Sequence, residues 1–350
     1  MIYSIQAYRG FAAILVLLHH STLLVSDYFN IKDPFLSIFY GGNSGVQFFF
    51  VLSGFIIYFI HKKDIGRPST LLLYLTKRFV RVYPIYFAVT IVVVSLYFII
   101  PSFGEDYYRT FKSIIVSFFL VPYTKSPHVD VAWTLVHEVF FYLVFAVLII
   151  NKKIGWALVF LLVFSILINI LYLGSLSYPW SFLLSPYNLL FFLGIFAAFL
   201  IERQMYNVNR HKIALPIFFI SNSIMIVSIF VYGLFYFYLE KEINTTLMIV
   251  WFGLGSFFII LQSGNSKLES YFKKKKLLLL IGESSYSLYL LHYLVITFLM
   301  KILVYLNISN YISIYLVYAF LIISGVVSGI LLHLFIEKPL LSIFKKSLLK

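Results

Sequence analysis

The chain has 350 residues, of which 62% are hydrophobic, 20% aromatic and only 11% charged, with a mean hydropathy of +0.97. Soluble domains carry about 25% charged residues, and surface-to-volume scaling leaves a soluble fold of this length unable to hide so much apolar surface, so the expected solvent is a lipid bilayer. With no cysteine, disulfides, thiolate nucleophiles, iron–sulfur clusters and cysteine-ligated zinc are excluded, and the net charge of +14 reads through its placement along the chain.

A helical span needs roughly 20 apolar residues. Ten stretches qualify: 8–26, 44–61, 82–100, 132–150, 155–173, 185–201, 213–238, 245–262, 279–300 and 311–336. No polar linker separates them, so the expectation is a single domain over residues 1–350, an all-α integral membrane protein of about ten transmembrane helices. The apolar piece FKSIIVSFFLVPY (111–123) is short and ends at Pro122, and is expected to be re-entrant or interfacial. As a full span it would flip every later helix. Positive charge is retained in the cytoplasm. With both termini cytoplasmic, the inner segments hold 21 lysines and arginines and the outer loops 6, so that orientation is expected. No cleavable signal peptide is expected, because the first span lacks a small-x-small cleavage site and carries His19 and His20.

The first span opens as YRGFAAILVLLHH (8–20). Eleven helical steps return to within about 20° of the starting direction and climb about 16 Å. Arg9 and His20 therefore share a face, while His19 points about 100° away. Ionisable groups inside spans are costly and are functional candidates by default. The plainer reading is a histidine bonded to a neighbouring helix and an arginine snorkelling to headgroups.

Next, GGNSGVQFFFVLSGFII (41–57) carries Gly41, Gly42 and Gly45, which read as close helix packing. KRFVRVYPIY (77–86) follows, with Lys77, Arg78 and Arg81 ahead of a span. Arg78 and Arg81 share a helix face at i, i+3, and arginine forks suit phosphate oxygens; topology signalling is the alternative. WTLVHEVFFY (133–142) puts Glu138 inside a span between Trp133, His137 and Tyr142. A buried carboxylate needs a partner or a proton, and His20 or a tyrosine could serve; interhelical glue is the alternative. The run KKKK (273–276) reads as a topology and anionic-lipid signal. In GESSYSLYLLHY (282–293), Ser285, Tyr289 and His292 recur at i, i+4, i+7 and could line a polar groove. Glu337 and Lys338, before Pro339, read as the end of the last span with a local ion pair, and His61, His128, His211 and His333 receive no role.

Taken together, these stretches resemble the acyltransferase-3 family of integral membrane acyltransferases, from Arg9 to Pro339. The family's arginine, ten residues, histidine motif falls on Arg9 and His20. SGVQFFFVLSGFII resembles its glycine- and phenylalanine-rich second span. Its arginine-x-x-arginine motif falls on Arg78 and Arg81, and WTLVHEVFFY resembles the tryptophan-serine-leucine-x-x-glutamate element that places Glu138. SSYSLYLLHY matches its late serine-tyrosine-leucine-histidine signature. Thr134 stands where the family usually has serine, and no SGNH-type hydrolase domain is appended, so a second acyl-handling step is expected from another protein or is replaced by direct transfer.

The resemblance implies an O-acyltransferase, with acetyl the expected acyl group, using cytoplasmic acyl-CoA as donor. The implied acceptor is a sugar hydroxyl of a polysaccharide or lipid-linked glycan in the cell envelope, and the implied location is a bacterial inner membrane. Arg9, Arg78 and Arg81 would hold the CoA phosphates. His20 would be the general base, with Glu138 orienting it, or would form an acyl-histidine. Trp133, Tyr142, Ser285, Tyr289 and His292 are candidate groove residues. Membrane lipids are expected partners, nucleic acid and metal are not. The rival reading is a proton-coupled transporter or exporter with His20 and Glu138 as its proton relay; a structural scaffold is the third.

Overall fold

The computed structural model describes residues 2–30, 33–100, 105–172, 176–204, 210–239, 245–263, 265–307 and 311–348. It is 88% helical, with no strand among the described residues. In chain order the helices are α1 (Tyr3–Phe29), α2 (Pro34–Ser37), α3 (Ser44–His61), α4 (Leu71–Ile99), α5 (Phe111–Phe118), α6 (Trp133–Ile150), α7 (Lys152–Tyr172) and α8 (Trp180–Leu183). They continue as α9 (Pro186–Gln204), α10 (Arg210–Leu239), α11 (Thr245–Leu261), α12 (Ser266–Lys273), α13 (Lys276–Glu283), α14 (Ser285–Tyr305), α15 (Ile314–Leu332) and α16 (Lys338–Leu348). Among the described residues, nine helical stretches are long and apolar enough to cross a bilayer, or ten if α11 and α12, bent by 92°, form one span.

Three elements differ from the expected spans. α4 begins at Leu71 rather than at 82, so Arg78 and Arg81 ride inside a 29-residue helix. The apolar run Leu71–Leu73 and the good helix formers Lys77 and Arg78 extend it backwards. The stretch 279–300 is broken: α13 ends at Glu283, and α14 restarts at Ser285. The last span does not stop at Glu337-Lys338; a π turn, His333–Glu337, carries it into α16. At the fourth position in question, 111–123, α5 has only eight residues, a rise of about 12 Å against a hydrocarbon core of about 30 Å.

The chain divides into two compact units, Met1–Phe55 with Leu193–His333, and Ile56–Phe192 with Leu334–Lys350. The division falls within α3 and α9.

In the first unit α1 is the central strut. Leu17, Leu24 and Val25 pack with Ile296 and Met300 of α14 and Val317, Tyr318 and Leu321 of α15. Glycine sets how closely its neighbours come: a Cβ on Gly42 would strike the Leu15 carbonyl oxygen, and one on Gly282 the Gln6 carbonyl oxygen. The packing role read for Gly42 and Gly45 is thus met on α1 itself, at Leu15 and Ala12. The start of α1 has no side-chain cap of its own. Glu269 of α12 supplies one, accepting from Tyr3 N (2.6 Å), Ser4 N (3.0 Å) and Ser4 Oγ (2.5 Å). The first two are amide protons a helix start leaves unpaired, and a carboxylate there suits the helix dipole.

In the second unit α4 packs on α6 and α16, and α6 on α7. The Tyr74 hydroxyl donates to the Tyr142 carbonyl (3.2 Å) and Tyr86 to the Ser117 carbonyl (2.7 Å), fastening α4 to α6 and α5.

Candidate functional site

In the first unit the site is built on α1 and α14. Arg9 Nη1 donates to Gln6 Oε1 one turn back, at 3.4 Å. About three turns along the helix from Arg9, His20 Nδ1 lies 2.9 Å from His292 Nε2. His292 is fully buried, and its Nδ1 lies 3.0 Å from the Leu288 carbonyl oxygen. Tyr293 stands edge-on to the His20 ring, centroids 5.0 Å apart. His20 itself is only partly covered. The two histidines do take different surroundings, as their 100° separation requires: His19 Nδ1 is buried without a hydrogen-bond partner.

Ser285, Tyr289 and His292 share the buried side of α14. Tyr289 meets Phe49 and His292 at ring distances of 5.9 Å each, and Ser285 Oγ is buried without a partner. Ser21 Oγ, Ser44 Oγ and Gln47 Oε1 share that condition. Buried polar groups are normally satisfied by protein or water, so this unit holds polar capacity that its own side chains do not use.

In the second unit the arginines separate in role. Arg78 lies over the rings of Tyr74 and Tyr142, 6.0 and 5.9 Å from their centroids, and its Nη2 is 3.3 Å from His61 Nε2. A guanidinium only donates, so His61 Nε2 accepts and its Nδ1–H donates to Asp64 Oδ2 at 2.7 Å. An aspartate–histidine pair thus steadies Arg78. Arg81 Nη1 is 3.0 Å from Glu337 Oε1, a carboxylate that the π turn buries to 1% exposure. Glu337, read from sequence as part of a local pair at the end of the last span, here meets Arg81, 256 residues away, where the helix continues instead of ending.

Glu138 Oε1 accepts from the Tyr142 hydroxyl at 2.5 Å. Of the two partners considered for Glu138, the tyrosine is thus seen within its unit. His137 Nδ1 is 2.8 Å from Asn188 Oδ1. Beyond it opens a cavity of about 170 Å³ lined by Tyr107, Ser117, Tyr123, Trp133, His137 and Phe182 among others. It lies at the far end of α4, where Tyr97 stacks on Tyr108 at 5.3 Å. Arg78 and Tyr97 are 19 residues apart on one helix, about 28 Å by helical rise. On α6, Trp133 and His137 face the cavity, and Tyr142 lies beneath Arg78, about 14 Å from Trp133 along the axis. Glu138 stands between.

Sequence reasoning missed His61 and Glu337. His61-x-x-Asp64 was legible as an i, i+3 pair. Nothing in the sequence points from Arg81 to Glu337, 256 residues away.

A family model described as an acyltransferase domain matches residues 2–333 of the chain. No curated protein and no solved structure matches it.

Proposed function

The chain belongs to the acyltransferase-3 family of membrane acyltransferases, and from that membership we propose that it is an O-acetyltransferase. It moves the acetyl group of acetyl-CoA from the cytoplasmic face of a bacterial inner membrane to a sugar hydroxyl of a lipid-linked or cell-surface polysaccharide. The observation that carries this reading is the partly covered His20, held at 2.9 Å by a fully buried histidine on α14. A histidine so supported, about 16 Å deeper than an arginine on its own helix face, suits a long donor that enters phosphate-last.

Arg9, Arg78 and Arg81 are assigned to the phosphates of CoA, by charge-assisted hydrogen bonds. His20 takes the proton of the acceptor hydroxyl as its oxygen attacks the thioester carbonyl. The C–O bond forms, the C–S bond breaks, and the departing sulfur leaves with the electron pair and takes the proton from His20. Glu138 accepts from the Tyr142 hydroxyl and is assigned to orienting the base. The aromatic cavity at Trp133 and His137 is assigned to the acceptor: flat rings suit the apolar faces of a pyranose, and it lies about 28 Å along α4 from Arg78. A proton-coupled transporter does not follow from membership of an acyltransferase family.

Surface-glycan NMR tests the reading in a deletion strain complemented with wild type or with His20→Ala that still reaches the membrane. O-acetyl signals should vanish in the deletion and in the variant. Unchanged O-acetylation throughout would remove the glycan acceptor, and an acetyl label trapped on His20 after acid quench would replace direct transfer by a covalent route.

A further inference from the structure

We propose that His292 is a positioning residue that fixes the tautomer of His20, so that Nε2 of His20 is the atom that accepts the proton. This rests on the reading of His20 as the base. The Leu288 carbonyl can only accept, so the His292 Nδ1 that lies 3.0 Å from it carries a hydrogen. A neutral imidazole has one N–H, which leaves His292 Nε2 as a lone pair. That lone pair is 2.9 Å from His20 Nδ1, so His20 Nδ1 carries the hydrogen and donates. The lone pair of neutral His20 then sits on Nε2.

The direction of the chain follows from burial as much as from distance. His292 is fully buried and its carbonyl anchor is one turn below it on the same helix, so its tautomer is settled by α14 alone. His20 is partly covered, and its ring has the Val16 backbone of its own helix as a second hydrogen-bond partner, so His292 adds a side-chain acceptor to a backbone one. When Nε2 takes a proton, Nδ1 keeps its own. The His20–His292 contact becomes a charge-assisted hydrogen bond, with no second proton moved. The arrangement is a carbonyl, an imidazole and an imidazole in series, where other hydrolytic and transfer sites orient the base with a carboxylate.

The test reads the tautomer directly. ¹⁵N-histidine-labelled full-length protein in lipid nanodiscs gives His20 signals by difference against His20→Gln. His20 should be the Nδ1–H tautomer in wild type. In His292→Gln, whose Oε1 is as many bonds from the backbone as the histidine Nε2, the acceptor is kept and so is that tautomer. In His292→Phe, which removes the side-chain acceptor and leaves the Val16 backbone as the remaining partner, the Nε2–H form of His20 should become populated. The kcat for acyl transfer should fall by about 10²-fold or more, with KM for acetyl-CoA held within about twofold, and His292→Gln should recover most of the loss. A wild-type His20 found as Nε2–H overturns the proposal, as does a His292→Phe protein with unchanged tautomer and kcat. If His292→Phe does not fold, wild type and His292→Gln still decide it: Nδ1–H in both sustains it, and Nε2–H in either overturns it. Failure of the base reading looks different, because His20→Ala would keep full transfer whatever the tautomer.

Discussion

Arg81 and Glu337 show how far a single residue's effect depends on which partner is removed. Breaking a buried ion pair by deleting one side costs about 3–5 kcal/mol, because a charge is left stranded. Glu337 is 1% exposed and Arg81 is 36% exposed, so Arg81→Ala takes an ion-pair partner from a buried carboxylate, whereas Glu337→Gln lets the guanidinium turn to water at about 1 kcal/mol. Thermal unfolding in detergent should show Arg81→Ala far less stable than Glu337→Gln, with the double variant recovering most of the difference. The double variant is then the proper test of phosphate binding: stable, yet with weaker acetyl-CoA affinity if Arg81 holds the donor. His128 offers a pH test at the same scale. Burial holds its imidazole below the ordinary value of 6.5, against the opposing hydrogen bond to the Tyr108 carbonyl. That carbonyl is 2.7 Å from Nε2, and Nδ1 is buried with no acceptor for a second proton. Unfolding lets His128 take up a proton below about pH 6.5 while the native side chain refuses it. Stability is therefore full above that pH and falls as the medium is acidified, until the native pKa is passed. Melting temperature against pH should slope less steeply below about pH 6.5 in His128→Gln than in wild type.

At the scale of elements, α1 depends on groups distant in sequence. Its first amides are capped by Glu269 of α12, and loss of a cap costs about 1 kcal/mol. Glu269→Ala should lower the melting temperature and raise amide exchange at Tyr3 and Ser4, with little effect on acetyl-CoA binding. Gly282 is the tighter constraint, because a methyl there would run into the Gln6 backbone. Overpacking of this kind costs about 1–3 kcal/mol, and a backbone oxygen cannot swing aside as a side chain can. Gly282→Ala should therefore destabilise more than Glu269→Ala in the same melts. The i, i+4, i+7 face of α14 was legible in the sequence, since helical periodicity alone puts Ser285, Tyr289 and His292 together. That His292 meets His20 was not, because it depends on how α1 and α14 are apposed along Leu17, Ile296 and Met300.

For the whole molecule, membrane topology is the property most open to measurement. The chain has no cysteine, so single cysteines can be introduced without background. With both termini inside, Lys63→Cys and Lys273→Cys should react with an impermeant maleimide only after the membrane is opened, and Ser126→Cys should react from outside in intact cells. Labelling of Lys63→Cys and Lys273→Cys on opposite sides would break the even spacing of spans between them and show that α11 and α12 do not cross together.

The sequence by itself determined the solvent, the helical class and the approximate number of spans, because a bilayer admits only helices or closed barrels and a span must be about 20 apolar residues long. It also determined that Arg9 and His20 share a face, that Arg78 and Arg81 do, and which family the motifs belong to. Each of those rests on local periodicity or on residue order. Tertiary structure decided the partners: His292 for His20, Tyr142 for Glu138, His61 for Arg78 and Glu337 for Arg81. It also decided that the last span runs on through a π turn. Hydrogen bonds and ion pairs form over about 3 Å, a distance that spacing along one helix can specify but spacing between helices cannot. Glu138 and Tyr142, four residues apart on α6, were within the sequence's reach; His20 and His292, 272 residues apart, were not.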